Sequence, residues 1–113
     1  MIAEARHTIE TTLTAAGIRV LAPSIAPTID DPCAQVTTSS IKSHDTGCGW
    51  LVTTTVYLTV PTKEPGVSDD DLDTLADTAL AALDRISVGI NALRGTYNNT
   101  NPAYIVSVEM LTT

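Results

Sequence analysis

His44, Asp45 and Cys48 lie within five residues of one another and are the chain's closest approach to a catalytic set. A cysteine nucleophile needs a positioned imidazole and an electropositive, partly buried setting. Here all three share one stretch with Thr46, Gly47 and Gly49, residue types that serve a turn. The other histidine, His7, is far off in sequence. Turn chemistry accounts for the segment without catalysis, and subunit contact is its functional alternative.

Asp69-Asp70-Asp71-Leu72-Asp73 resembles the opening of a calcium loop. Counted from Asp69, however, the sixth and twelfth positions are Thr74 and Leu80, where such a loop needs glycine and a bidentate glutamate. The same carboxylates suit the positive end of a helix, with Ser68 as the N-cap. Cys33 and Cys48 are the only cysteines. On a hairpin of residues 33–41 and 50–60 they fall near opposite ends, roughly 25 Å apart at the rise of an extended chain. A disulfide needs Cα atoms within about 7 Å, so no bridge is expected. Neither belongs to a CxxC pair, which leaves zinc without a ligand set. No cofactor or metal is expected.

Composition narrows the function further. The net charge is −7 and the six basic residues are scattered through the chain. Direct nucleic-acid binding, which rests on lysine and arginine neutralising phosphates, is disfavoured. No apolar run approaches the ~20 residues of a membrane span. The first residues mix charge with apolar groups, unlike a secretory signal, so a cytoplasmic protein is expected. The length of 113 residues fits a single domain, residues 1–113, with one core. Phenylalanine is absent, so that core must be aliphatic.

The element that must position everything else is residues 50–60, a run without Gly, Pro or charge. Trp50, Val52, Thr54, Val56, Leu58 and Val60 share one face; Leu51, Thr53, Thr55, Tyr57 and Thr59 share the other. That alternation describes a long strand covered by helices on the Val56 side only. Leu51 and Tyr57 on the wet side are large groups that a partner could cover. Residues 2–16 read as a helix with Ile2, Ala5, Ile9, Leu13 and Ala16 as its apolar stripe, ended by Gly17. Residues 18–22 make a short strand, 23–32 a proline-studded connection and 33–41 a second strand. Residues 42–49 form a loop longer than a hairpin requires. A second helix is expected from Ser68 to about Leu93, weakened at Val88 and Gly89 and stopped by Gly95. Residues 96–102 read as a loop and 104–111 as the last strand. The fold class is α+β: one mainly antiparallel sheet of about four strands, two helices on one face, in the order α-β-β-β-α-β.

With that order the chain resembles the tail terminator (tail-completion) proteins of long-tailed, non-contractile bacteriophages. The resemblance rests on the opening helix ended by Gly17, the strand at 18–22 and the proline-studded connector. It rests also on the hairpin loop 42–49, the strand 50–60 and the long helix and terminal strand that follow. It is one of layout and covers essentially the whole chain. It implies a structural virion protein, not an enzyme, that forms a ring, typically a hexamer. Such a ring caps the head-proximal end of the tail tube, stops its polymerisation and joins the tail to the head connector. Its partners would be further copies of itself, the tail tube protein and head–tail connector proteins; DNA would pass through the lumen unbound, and no membrane is involved. It would be assembled in the host cytoplasm and reside in the tail and neck of the virion. Residues 44–48 (His44, Asp45, Thr46, Gly47, Cys48), with Leu51 and Tyr57, would form the subunit or tube interface. Another neck or head–tail connector protein, a small ligand-binding α+β domain and a hydrolase using Cys48 and His44 are the alternatives.

Overall fold

The structure is a computed structural model in which residues 2–21, 31–43, 49–62, 65–97 and 101–112 are described. Helix α1 (Ile2–Ala15) leads through strand β1 (Arg19–Leu21) to the antiparallel pair β2 (Cys33–Ser43) and β3 (Trp50–Thr59). Helix α2 (Pro65–Asp84) follows, and strands β4 (Gly89–Tyr97) and β5 (Asn101–Thr112) complete the order.

Helix α1 forms as its pattern dictates. Ala5, Ile9 and Leu13 are buried at four-residue spacing, which places them on one stripe of a helix. Thr12 and Thr14 donate their hydroxyls to the carbonyls of Thr8 and Glu10 at 2.7 and 2.8 Å, the usual accommodation of threonine within a helix. At its end Gly17 takes φ 86°. The Ile18 N–H donates to the Leu13 carbonyl and the Gly17 N–H to that of Thr14, both at 3.0 Å. Those two bonds are a Schellman cap, closed by burial of Leu13 and Ile18 in one cluster.

The sheet corrects the expected strand count. Five described strands lie in the order β1-β2-β3-β5-β4, with β1 parallel to β2 and every other neighbour antiparallel. The additional strand is β4. Its residues were expected to extend the second helix to Leu93, but α2 stops at Asp84 and residues 89–97 pair with β5. Ile86, Ile90 and Leu93 fit a helical stripe; Ile90 and Ala92 fit the inner face of a strand equally well. The antiparallel partner decides, because it satisfies a full ladder of backbone groups. Gly89 and Gly95 cost a helix more than they cost an edge strand. Residues 96–102, expected to be a loop, are paired at both ends: Thr96 faces Pro102 and Tyr97 faces Asn101.

The start of α2 also differs. Ser68 was expected as its N-cap, yet the helix begins at Pro65, whose missing N–H is no loss at a first helical position. Ser68 is buried and donates its hydroxyl to the Pro61 carbonyl at 3.3 Å. The acidic run therefore starts in the second turn.

Both helices cover the same face of the sheet. Ile9, Leu13, Leu72, Leu75, Ala79 and Leu83 pack on Ala34, Val36, Val56, Leu58, Val60, Val106 and Val108. Registers Val36–Val56 and Val56–Val106 line up three buried valines across the central strands. Every inward position of β3 from Val52 to Leu58, and Val60 just after it, is fully buried, as its alternation requires.

One of those positions is polar. The Thr54 hydroxyl is buried and has no hydrogen-bond partner. An unsatisfied buried hydroxyl costs about 1–3 kcal/mol. Thr54→Val, which keeps the β-branched shape and removes that group, is expected to raise stability by about 1 kcal/mol. Thermal unfolding checks this: the midpoint should rise by several degrees (about 4–8 °C per kcal/mol for a domain of this size), and an unchanged or lower midpoint counts against it.

Candidate functional site

The expected contact surface combined residues 44–48 with Leu51 and Tyr57. Residues 44–48, and with them His44, Asp45, Thr46, Gly47 and Cys48, lie outside the described residues. The strands reach further toward them than expected. Lys42 pairs with Leu51 and Ser43 with Trp50, so the connection shortens to residues 44–49.

Leu51 and Tyr57 are on the face away from the helices, as their alternation requires, and both are half-buried. They do not form one patch. Six residues of strand separate them, about 20 Å at 3.4 Å per residue. Tyr57 packs on a small second cluster of Leu21, Cys33 and Ala103, all buried. Much of its ring thus serves this chain's own packing. Leu51 instead lies beside Leu111, which is exposed.

At that end of the sheet the helix-side face is uncovered too. Trp50 is 48% exposed and Ile41, paired with Val52, is 42% exposed. The strands therefore run past the helical layer, in keeping with a molecule 49 Å long and 26 × 24 Å across. Trp50 has the parity of the core face but lies beyond what the helices cover. The result is an apolar tip, with Trp50 and Ile41 on one side and Leu51 and Leu111 on the other. Trp50, Ile41 and Leu111 were the members that sequence reasoning missed. Their alternation was visible, but how far the helices reach along a strand was not.

Cys33 is a free thiol, buried at the start of β2 opposite Thr59. That is the end of the hairpin remote from residues 44–48. Burial pushes its pKa above the ordinary thiol range, a rise only partly offset by the positive charge of Arg19. A thiol held protonated is a poor nucleophile.

Two carboxylates of the acidic run of α2, Asp69 and Asp73, face the β4–β5 pair. Arg94 is hydrogen-bonded to Asp69 and lies over the Tyr104 ring, 5.5 Å from its centre. The Tyr104 hydroxyl donates to Asp73 at 3.1 Å. The hydrogen bond that Arg94 donates to Asp69 pushes the Arg94 pKa further above its ordinary value. Both partners are about half exposed, so the pair fixes the position of β4 more than it stabilises the fold. These contacts occupy Asp69 and Asp73 structurally. Among the described residues no three His, Cys, Asp or Glu side chains are grouped to hold a metal ion.

The grooves are shallow. One of about 470 Å³ lies where the end of α1 meets α2, lined by Gly17, Ile18, Asp71, Thr74 and Thr78 among others. The hydroxyls of Thr74 and Thr78 are directed to carbonyls of their own helix, at 2.9 and 3.2 Å. They do not converge on the groove. Among the described residues no helix is long and apolar enough to cross a membrane.

The arrangement defines an α+β protein that, among the described residues, presents an apolar sheet tip to solvent. No family model matches the chain, and no curated protein matches it.

Proposed function

We propose that this chain is a structural assembly subunit: a ring-forming protein of a phage tail, acting as tail terminator. The observation that carries this reading is the tip formed by Trp50, Ile41, Leu51 and Leu111 beyond the helices. Apolar groups of that size on both faces of a projecting hairpin suit contact with another protein. The acidic charge of −7 supports a conduit through which DNA passes rather than a DNA-binding surface. Of the layout on which the resemblance rests, the opening helix ended by Gly17, the short strand after it and the long strand from Trp50 are kept, while β4 in place of the last turns of the second helix departs from it. In the proposed assembly, head-to-tail contacts between copies close a ring (six copies in the resembling family), and the tip meets a neighbouring subunit or the tube.

Replacing residues 44–48 by a two-residue turn tests this. The variant should keep its circular dichroism spectrum and its thermal midpoint. It should fail to assemble rings and fail to terminate tails, so that a phage carrying it makes tubes of uncontrolled length. Tails of normal length joined to heads would overturn the proposal.

A further inference from the structure

The two margins of the sheet are built differently. At one, β1 covers Cys33, Ala34 and Gln35, a register shift interrupts β2 between Thr38 and Ser40, and Lys42 stands near its end. Short covering strands, bulges and lysines are the usual means of keeping an edge from pairing with another chain. Strand β4, at the other margin, has none of them among the described residues. Its nine residues hold continuous register with β5 from Gly89 to Tyr97 and include no proline or lysine. Its single charge, Arg94, is turned to Asp69 on α2. Leu93, at its midpoint, is 62% exposed on the face away from the helices, beside Ile105.

We infer that β4 is a two-fold contact site for a second copy of this chain, the two β4 strands pairing antiparallel about Leu93. An open edge presents a row of backbone donors and acceptors, which only another extended strand satisfies throughout. The β4 sequence is self-complementary about its centre. Leu93 meets Leu93 of the second copy, Asn91 meets Gly95, Ala92 meets Arg94 and Ile90 meets Thr96. No like charges oppose each other, and the most exposed apolar side chain of the strand covers its own counterpart. Contacts that are self-complementary about a two-fold axis are the commonest in homo-oligomers. The result joins the sheets of the two copies into one. This contact is separate from the head-to-tail contacts of a ring, so either can fail without the other.

Cysteine placement reads the register directly. Directly opposed residues of an antiparallel pair have Cα atoms about 4.5–5.5 Å apart, within disulfide range. Leu93→Cys, made in a Cys48→Ser background, should therefore oxidise in air to a covalent dimer. Asn91→Cys places its two sulfurs about four residues apart along the strands, roughly 13 Å. It should give less than a tenth as much dimer at the same time point, although the site is exposed on the same face. Leu93→Lys, which opposes two like charges, should halve the mass measured by light scattering without changing the circular dichroism spectrum. Equal cross-linking at 91 and 93, or a Leu93→Lys variant with the parent's mass, would overturn the inference. A large multimer lacking the 93–93 link would overturn this contact and leave the ring reading standing. A two-copy particle that never enlarges with tail tubes would do the reverse.

Discussion

Val56→Asp is expected to leave the chain unfolded. Val56 is fully buried at the centre of β3, flanked by Val36 and Val106 and covered by both helices. Among the described residues the buried polar side chains are Thr54, Thr59 and Ser68, none of them basic, so an introduced carboxylate has no buried cation to pair with. The loss of packing and the burial of a lone charge together cost several kcal/mol, comparable with the about 5–15 kcal/mol that holds an ordinary domain together. The adjacent Thr55→Asp points to the other face, where Thr55 is only half-buried, and should shift stability by about 0.5 kcal/mol or less. Circular dichroism of the two variants decides the matter. A folded Val56→Asp beside an unfolded Thr55→Asp would mean that the helices cover the opposite face.

The second largest effect is expected at the end of α1. Leu13 is fully buried, and its carbonyl accepts the Ile18 N–H that closes the helix cap. Leu13→Ala removes a core side chain and the apolar half of that cap together. Large-to-small core changes of this kind cost about 2–5 kcal/mol. The urea midpoint should fall accordingly while the slope of the transition stays constant, since the surface exposed on unfolding hardly changes. A midpoint within error of the parent would show that α1 contributes little to the cooperative core.

The elements best expressed in the sequence are those whose signal is local. The stripe Ala5–Ile9–Leu13 with Gly17 behind it specifies α1 and its end. The alternation in residues 50–60 specifies β3 and which side the helices take. What the sequence leaves ambiguous is settled by partners far along the chain. Ile90 and Ala92 satisfy a helical or a strand reading until β5 is placed beside them. Ser68 and three aspartates imitate a helix start, and the earlier Pro65 provides the actual one, with one N–H fewer to satisfy. Alternation alone placed Leu51 and Tyr57 on the face away from the helices. Neither the packing of Tyr57 on Leu21 and Ala103 nor the exposure of Trp50 follows from alternation, because both depend on where the covering layer stops. Leu93 was missed for the same reason as β4.

The strand order has a kinetic consequence. Strands β2 and β3 are neighbours in sequence and in space, and so are β4 and β5, but β3 pairs with β5 across the whole of α2 and β4. Each hairpin can form in microseconds from local contacts, whereas joining them requires closing a far longer loop. Non-local strand pairing of this type slows folding. The zipper of β3 against β5, from Trp50–Thr112 to Thr59–Ala103, is therefore the late step. Until it closes, the edge of β3 that takes β5 stands open during synthesis, an exposure that makes a partly folded chain prone to aggregate.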